Sequence, residues 1–584
     1  MDWIKKTFDC DGDKVSVVCD FEYFGNDGDT VSPVCLVWRD LRTDVYHRVW
    51  RDELLRMDQA PFPVNTKTAV FSYYWPAEGA CFEALGWAQP HFIIDLYAEF
   101  RSLTNGRKLP CGSSLLGAMT WYGCPSMATE MKEAMRDLIL SGGPWDEDEK
   151  EAILGYCEAD VRAVAELVNV MGPEIDAETA CYRGRFMEAV SAMEHRGIPL
   201  DLPSLESLKA RWPLILEKLI AEVDRDYQVY EGTTFRMDKF GQYVTRHGLQ
   251  WPRTPAGRFD VSDATFKAKA EQYPQLQNLR ELRATLSQTR HLGVAVGADG
   301  RNRCMLSPFR SKTGRSQPSN AKFIFGPHKW IRHLIKPEEG TALAYIDYQQ
   351  QEFAIAGALS GDKAMQACYQ SGDPYLEFAK MARAVPSDAT RDSHKVQRQQ
   401  FKTCALGVLF GLSGEGMARK LGLSPEGGRQ LLRLHKIVFC EFWRWQESVI
   451  ANALLNMEMR TVMGWRMYVP PRTDLRDRNK ERTLANFPLQ ANGAEMLRVA
   501  VIKAHEMGVR VLAPVHDALL IEAAEDCIEA EVAKTQEVMA DASGVILDGF
   551  CLGTDVEVIR WPDRFSDDRG AAVWNKIQTL LPPV

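Results

Sequence analysis

The stretch Ala342-Leu-Ala-Tyr-Ile-Asp-Tyr-Gln-Gln-Gln-Glu352 contains a short apolar run that ends in a carboxylate, Asp347. Such a run is typical of a buried β-strand. Farther along the chain a second acid, Asp517, lies between two more apolar runs, residues 509–515 and 518–521. This pattern predicts a tight β-hairpin that carries a carboxylate at its tip.

Between these two elements the sequence has a repeat at intervals of four residues: Arg398, Lys402, Leu406 and Phe410. On an α-helix this spacing places all of them along one face. Ordinary core packing is the alternative interpretation of such a stripe. Core packing does not require Arg and Lys on the same helix face as the apolar residues, however, so we favour a functional role for this face.

The N-terminal part of the chain contains separated acidic residues. Asp20 and Glu22 lie two residues apart at the end of a predicted strand, so their side chains point to the same side. Tyr156 and Asp160 lie four residues apart on a predicted helix and share one face. Glu78 follows another strand-like segment. A solvated turn is the common interpretation of an acid pair at a strand end, and a shared divalent metal ion is the alternative.

The composition is that of a soluble globular protein with several cores: 584 residues, 45% hydrophobic and 26% charged. The net charge of −9 gives no bulk attraction to a polyanion, so nucleic-acid contacts must be local. Residues 301–336 contain nine Lys or Arg and no acid, which favours a phosphate-binding surface over a merely solvated face. The 14 cysteines form no Cys-x-x-Cys pair, and residues 1–10 precede no apolar stretch, so we expect reduced thiols and a cytoplasmic location.

Local patterns predict a mixed α and β chain in at least three units. Short strands are predicted at residues 15–19, 34–38 and 45–50. Residues 204–226 predict a long helix, or a helix pair broken near Pro213. Helices are expected to dominate residues 362–453.

The elements around Asp347, Lys402 and Asp517, in this order, resemble motifs A, B and C of family A DNA polymerases, the group typified by the large fragment of bacterial DNA polymerase I. Two further matches are Thr313-Gly314-Arg315 before the first motif and Arg482-x3-Asn486-x3-Gln490 before the third. The N-terminal acids resemble the three-motif 3′–5′ exonuclease domain attached to many DNA polymerases. Together the resemblances cover essentially the whole chain.

The resemblance implies an α/β multidomain fold, in which a ribonuclease H-like exonuclease domain precedes a right-hand polymerase domain. The implied domains are the exonuclease at residues 1–175, the thumb at 176–300, the first part of the palm at 301–360, the fingers at 361–455 and the second part of the palm at 456–584. No 5′ nuclease domain is expected in front. This lean organisation suggests a phage or plasmid replicase.

The resemblance also implies a polymerase site. Asp347 and Asp517 would hold two Mg²⁺ ions, with Mn²⁺ as a possible substitute and the Tyr348 carbonyl as a further ligand. The other implied contacts are Lys402 and Arg398 to the triphosphate, Leu406 and Phe410 to base and sugar, Glu352 as a steric gate against a ribose 2′ hydroxyl, His516 to the primer end, and Arg315, Arg482, Asn486 and Gln490 to DNA.

For the exonuclease, the resemblance implies that four acids bind two metal ions and that Tyr156 orients the attacking water. These acids are Asp20, Glu22, Glu78 and Asp160. The middle motif departs from the family pattern, because Tyr74 and Glu78 stand where Asn and Asp are usual. The polymerase half departs as well. Leu406 replaces a Phe or Tyr, which predicts altered sugar selectivity, Phe410 replaces a common Tyr, and Ala518 replaces a Glu.

The expected function is template-directed DNA synthesis on primer-template DNA from deoxynucleoside triphosphates, with 3′–5′ proofreading, by a monomer that needs no membrane. Three alternatives stay open. One is a polymerase with a silent exonuclease, because Glu78 is atypical. The second is a nuclease whose polymerase half only binds DNA, and the third is a non-enzymatic replication or repair scaffold.

Overall fold

The computed structural model describes residues 15–125, 129–288, 293–326 and 328–580. The stretch 1–10, which was inspected for a signal sequence, lies outside these residues. Among the described helices, none combines the length and apolar character needed to cross a bilayer.

The helices and strands alternate along the chain, and the central and C-terminal parts are mainly helical. Up to residue 196 they are β1 (Val15–Phe24), β2 (Ser32–Asp40), β3 (Val45–Trp50), α1 (Arg51–Leu54), β4 (Thr68–Ser72), α2 (Trp75–Leu85), β5 (Phe92–Asp95), α3 (Leu96–Thr104), α4 (Leu115–Tyr122), α5 (Thr129–Leu140), α6 (Glu147–Met171) and α7 (Ala177–Arg196). Residues 198–302 contain β6 (Ile198–Pro199), α8 (Leu202–Asp224), β7 (Tyr230–Glu231), β8 (Thr234–Phe235), α9 (Met237–Arg246), α10 (Asp263–Gln272), α11 (Gln277–Gln288) and β9 (Arg301–Asn302). The remaining elements are β10 (Thr341–Tyr348), α12 (Gln351–Ser360), α13 (Lys363–Gln370), α14 (Pro374–Met381), α15 (Lys395–Leu409), α16 (Gly414–Leu421), α17 (Pro425–Val438), α18 (Cys440–Asn456), β11 (Glu458–Arg460), β12 (Arg466–Tyr468), α19 (Arg478–Glu506), β13 (Arg510–Val515), β14 (Ala518–Ala524), α20 (Ile528–Ile546), β15 (Thr554–Arg560) and α21 (Asp568–Leu580).

The chain forms two compact units. The first unit comprises the residues up to Gly197, Met305–Gln317 and Ala342–Val558. The second comprises Ile198–Cys304, Pro318–Thr341 and the residues from Ile559 onward. Both candidate sites described below lie within the first unit.

The N-terminal part of the first unit is built on a five-stranded sheet of order β3-β2-β1-β4-β5. Strand β1 pairs antiparallel with β2 and parallel with β4. This mixed order is the ribonuclease H-type topology that the resemblance implies. The predicted strand at residues 45–50 is confirmed, whereas β1 and β2 extend beyond their predicted ends, because polar residues such as Asp20 and Glu22 continue the pairing with β2.

Helix α6 packs against β1 and β2 and brings the third acidic motif to this sheet. A capping box starts the helix: the Asp146 side chain accepts from the Glu149 backbone N–H, and the Glu149 side chain accepts from the Asp146 backbone N–H. Its buried residues include Ile153, Cys157 and Val161, which recur every four residues and form the face toward the sheet. The predicted helix under Tyr156 and Asp160 is confirmed.

The second sheet of the first unit has four strands in the order β13-β14-β10-β15. Strands β13 and β14 form the predicted hairpin, in which Val515 pairs with Ala518. His516 and Asp517 are therefore the two turn residues, and His516 has a φ of 61°, as this kind of tight turn requires. The predicted strand at Asp347 is confirmed as β10.

The helical region from residue 362 to 453 is also confirmed. Helix α15 starts at Lys395 and ends at Leu409, so Phe410 lies one residue beyond the helix. The prediction that Phe410 continues the helical stripe is wrong in this respect, because Gly411 follows with a φ of 70° and turns the chain.

The second unit contains helix α8, which runs unbroken through Pro213. Trp330 stacks on Trp212, with ring centroids 5.8 Å apart. The C-terminal α21 packs in the same unit, where Trp574 lies 6.5 Å from Trp330.

Part of the basic stretch 301–336 serves structure instead of phosphate binding. Arg332 is buried and donates to Asp567 over 2.9 Å. Arg301 pairs with Glu338 over 2.5 Å, and Arg303 donates to Asp299 over 2.6 Å. For these three arginines the predicted phosphate surface is wrong, because their side chains are only 4–11% exposed and each is paired with an acid.

A buried ion pair joins α3 to α7 in the first unit. The Arg183 guanidinium donates twice to Glu99, over 2.6 and 2.7 Å. Their side chains are only 5% and 2% exposed. Removing one partner would leave the other charge buried without compensation.

We expect Arg183→Met to destabilise the first unit by about 3 kcal/mol, because Glu99 would lose its partner in a buried setting. Thermal unfolding followed by circular dichroism measures this as a lower melting temperature. Arg185→Met is the matched control, since Arg185 pairs with Glu506 on the surface, where both side chains are 40% exposed or more. Equal losses in the two variants would contradict the prediction.

Candidate active sites

Adjacent strands of the second sheet bring Asp347 and Asp517 together. Asp347 lies near the end of β10, and Asp517 lies in the turn that starts the neighbouring strand β14. The Tyr348 backbone N–H donates to the Asp517 carbonyl oxygen over 3.3 Å. The sheet thus places two acids that are 170 positions apart in the sequence at one edge.

The two carboxyl groups interact directly. Burial, the negative charge of Asp517 and a hydrogen bond between the two carboxyl groups together raise the pKa of Asp347 to about 7. The Oδ1 atom of Asp347 is buried and accepts no hydrogen bond from any residue that the structure describes. A hard divalent cation fits this arrangement, since it would neutralise the repulsion and supply the missing partner.

Asp555 is a third acid at this edge, and the sequence analysis did not identify it. It lies on β15, the neighbour of β10 on the other side. Gln349 donates to its carboxylate over 2.6 Å, and its charge also raises the pKa of Asp347. The alternation of Asp555 and Glu557 with valines was a usable sequence signal, because it marks one polar face of a strand.

Arg315, Glu352 and Gln490 surround the acid pair. Burial lowers the pKa of the Arg315 guanidinium, while the charges of Glu352 and Asp517 raise it. The Gln490 amide lies 3.5 Å from the Glu352 carboxylate. Asn486, one turn before Gln490 on α19, has a buried side-chain oxygen that accepts no hydrogen bond within the described residues. Arg315 and Glu352 therefore interact electrostatically with the acid pair, and Gln490 reaches it through Glu352.

The two basic residues of α15, Arg398 and Lys402, both contact the ring of Tyr375. The Lys402 ammonium lies 5.6 Å from the centre of the Tyr375 ring, and the Arg398 guanidinium lies 5.7 Å from it. Arg398 also donates to Asp373 over 2.5 Å. Burial raises the pKa of Tyr375 to about 12, with Arg398 lowering it and Glu352 raising it. Tyr375 therefore lies close to both cations and within electrostatic range of Glu352.

The other predicted residues take peripheral positions. Leu406 is half-buried on α15, whereas Phe410 is 46% exposed. Arg482 is exposed at the start of α19 and packs on Gly411, where an added Cβ would lie 3.0 Å from its side chain. His516 is exposed at the hairpin tip. The Tyr348 hydroxyl donates to the Met539 carbonyl over 2.7 Å in the core. The side chain therefore points away from the acid pair, and the predicted metal ligand is the backbone carbonyl of Tyr348.

At the N-terminal sheet, Asp20 and Glu22 form a compact group with Cys157 of α6. One ligand atom from each lies within 4.8 Å of the others. The Cys157 thiol lies 3.2 Å from the Asp20 carbonyl oxygen and 3.4 Å from its carboxylate. Burial and the charge of Asp160 raise the pKa of Asp20 to about 8. Two carboxylates this close together fit a divalent cation. Cys157 was not among the residues predicted from the sequence.

Glu78 does approach the other acids. It lies in the first turn of α2, is 3% exposed, and accepts from the Phe21 backbone N–H over 2.8 Å. Burial and the charge of Asp20 raise its pKa well above the usual value. Tyr74, which precedes this helix, has a φ of 81° and thereby turns the chain from β4 into α2.

Asp160 and Tyr156 face the same group from α6. Burial, Asp160 and Glu22 raise the pKa of Tyr156. Both oxygens of Asp160 accept from the Lys132 ammonium, over 2.7 and 3.1 Å. Lys132 lies on α5, 28 residues before Asp160, so no spacing pattern in the sequence could reveal this contact.

Known DNA polymerases are similar to part of this chain. The DNA polymerase I of Thermus aquaticus is 28% identical over 384 residues, which are 61% of this chain and 45% of that protein. For Chloroflexus aurantiacus DNA polymerase I the identity is 24% over 421 residues, or 66% of this chain and 44% of that protein. The matches therefore span less than half of the length of each relative.

A solved structure shows the same fold along nearly the whole chain. It is the POL domain of Pol1 from M. smegmatis in complex with DNA primer-template and dNTP, with a TM-score of 0.69 and 20% sequence identity. The alignment covers 95% of this chain and 96% of that one. The family model for DNA polymerase family A matches residues 265–557, which is half of the chain and includes Asp347, Lys402 and Asp517. The chain belongs to DNA polymerase family A.

Proposed function

We propose that this chain is a template-directed DNA polymerase that extends a primer 3′ end with deoxynucleotides and removes nucleotides through a 3′–5′ exonuclease site in its N-terminal part. Family membership supports the first activity. The observation that carries it is the pairing of Asp347 with Asp517, where a buried carboxylate oxygen lacks a hydrogen-bond donor among the described residues.

In this proposal Asp347, Asp517 and the Tyr348 carbonyl hold the catalytic cations. Two bound Mg²⁺ ions would stabilise the negative charge on the attacking and leaving oxygens of an in-line phosphoryl transfer. Mn²⁺ has the same preference for oxygen ligands and would substitute. Asp555 adds a third negative charge at the same edge.

Lys402 and Arg398 bind the triphosphate of the incoming nucleotide. Lys402 contributes a compact charge, and Arg398 contributes a planar fork that can donate to two phosphate oxygens. The Arg398 side chain is paired with Asp373, so the Asp373 carboxylate orients the guanidinium before the nucleotide arrives. Leu406 and the exposed ring of Phe410 offer apolar contact to base and sugar.

Glu352 limits the space beside the sugar, which favours deoxyribonucleotides. Arg315 and Gln490 contact the minor-groove side of the new base pair, where hydrogen-bond acceptors are nearly the same for every pair. Asn486 and Arg482 contact the DNA, and His516 steadies the primer end. The primer-template and dNTP in the M. smegmatis structure are the partners that this arrangement would take.

The N-terminal site is proposed to hydrolyse the primer end. Asp20, Glu22, Glu78 and Asp160 converge from three separate segments, which supports a cation-dependent phosphodiesterase. Tyr156, whose hydroxyl lies beside Asp160, would orient the attacking water.

The limits of the exonuclease, thumb, palm and fingers domains given above remain proposals. A monomer, a cytoplasmic location and a phage origin remain proposals too.

The polymerase proposal predicts that Asp347→Asn and Asp517→Asn each lower single-nucleotide incorporation by about a thousandfold or more, since each removes several kcal/mol of transition-state stabilisation. Primer extension with the four deoxynucleotides and Mg²⁺ measures this, and fluorescence anisotropy should show nearly unchanged primer-template binding. Asp526→Asn is the control, because Asp526 is exposed just beyond the opposite end of β14. Extension by either acid variant at the wild-type rate would end the proposal.

A second prediction concerns pH. In metal-free protein the raised pKa of Asp347, about 7 against an ordinary 3.8, means that the folded chain holds this proton more tightly than the unfolded chain. Stability from this group is therefore full below about pH 4 and is lost as the pH rises to about 7. Asp347→Asn keeps a neutral side chain, so its melting temperature should exceed that of the wild type by a few degrees more at pH 8 than at pH 5 in EDTA. Mg²⁺ should raise the melting temperature of the wild type more than that of the variant. The same difference at both pH values would refute the assignment.

The exonuclease proposal predicts that wild-type protein with Mg²⁺ and no nucleotides shortens a primer with a mismatched 3′ end. Asp20→Ala should abolish this shortening, because the acid pair on β1 loses a ligand. It should leave extension of a matched primer within about twofold, since Asp347 and Asp517 are untouched. Asp347→Asn is the converse control and should still degrade the mismatched primer. Absence of degradation by the wild type would favour a silent exonuclease site.

A further inference from the structure

Lys132 places a fixed positive charge inside the N-terminal acid cluster. Its ammonium bridges both oxygens of Asp160, at 2.7 and 3.1 Å. The pair is partly buried, since the two side chains are 22% and 15% exposed. The ammonium also lies 5.7 Å from the centre of the Tyr156 ring, a distance at which the ring face adds a cation–π attraction.

This contact uses the oxygen atoms that a divalent ion at Asp160 would need. A carboxylate binds Mg²⁺ directly through an oxygen at roughly 2.1 Å, so an ammonium bonded to both oxygens competes for the same lone pairs. The charge of Lys132 reaches beyond its partner, because it lowers the pKa of Asp20 while Asp160 raises it. The positive charge of Lys132 therefore offsets part of the negative charge of the acids, as a bound metal ion would.

The other end of the cluster offers one compact set of ligand atoms. Asp20, Glu22 and Cys157 each provide an atom within 4.8 Å of the others. Glu78 is turned toward the backbone N–H of Phe21, from which it accepts over 2.8 Å. Asp20, Glu22 and Cys157 thus offer ligand atoms that the bridge between Lys132 and Asp160 does not use.

Lys132 is also open to a substrate. It lines a cavity of about 440 Å³ together with Glu22, Tyr23, Arg136 and Tyr156. An ammonium has three N–H donors, and Asp160 takes two of them, so one can meet a phosphate oxygen that enters this cavity. Arg136 adds a second cation to the same wall.

We propose that Lys132 replaces one divalent ion at Asp160, so that the N-terminal site binds a single divalent cation, between Asp20 and Glu22. This inference rests on the proposed metal-dependent exonuclease and states its metal content. An ion held by Asp20 and Glu22 would polarise the phosphate, and Lys132 supplies the second positive charge from the protein.

Counting bound Mn²⁺ by electron paramagnetic resonance tests the proposal. The full chain carries Asp347→Asn and Asp517→Asn, which removes the ligands of the polymerase site, and dTMP is added as a probe for the phosphate position. In this background Asp20→Asn should lower the number of bound ions by one. Lys132→Met should raise the number by one, because Asp160 becomes available, and Lys132→Arg should leave it unchanged because the positive charge is kept.

Lys150→Met is the matched control. Lys150 pairs with Glu147 over the same 2.7 Å but outside the cluster, so its loss should not change the number of ions. A loss of two ions in Asp20→Asn, or an unchanged number in Lys132→Met with a wild-type circular dichroism spectrum, would overturn the inference while keeping the metal site. If Asp20→Asn loses no ion, the proposed metal site itself is wrong, and the inference falls with it.

Discussion

Like charges held close together are the physical constraint on which both candidate sites depend. Asp347 and Asp517 repel each other when ionised, and the sheet keeps them together through the pairing of β10 with β14 and the backbone bond from Tyr348 to Asp517. Burial increases the repulsion and raises the pKa of Asp347 to about 7. The backbone thus holds the two acids in an electrostatically unfavourable arrangement that a bound cation would relieve.

The N-terminal site meets the same constraint with a different balance of charge. Acids from β1, α2 and α6 converge there, and burial raises the pKa of Asp20 to about 8. Here one compensating charge comes from the protein, through the bridge from Lys132 to Asp160. At the site of Asp347 and Asp517 the nearby cations, Arg315 and Lys402, are the residues proposed to bind DNA and nucleotide.

Buried polar contacts connect the N-terminal sheet with the helix that borders the polymerase site. Arg183 and Tyr182 are neighbours on α7, and they bind Glu99 and Glu495 respectively. Glu495 lies on α19 and also accepts from Arg498, whose guanidinium donates to the Gly314 carbonyl over 2.7 Å. Gly314 precedes Arg315, so these contacts help to fix the backbone from which Arg315 approaches Asp517.

Local patterns in the sequence predicted several of the elements and supplied most of the candidate residues. An apolar run before Asp347, two runs around Asp517 and four-residue spacings at Arg398 and Tyr156 each report on a neighbourhood of a few residues, where strand and helix periodicity act directly. The same patterns could not reveal Lys132 beside Asp160 or Asp555 beside Asp347, and they assigned Arg332 to a surface that it does not reach. These contacts join segments far apart in the chain, and the packing of whole helices and strands decides them. The sequence by itself therefore determined which acids and bases the protein carries and on which elements they lie. Only the tertiary structure decided which charges meet, because the energy of a charge depends on its distance to other charges and on its burial, and neither is a local property of the chain.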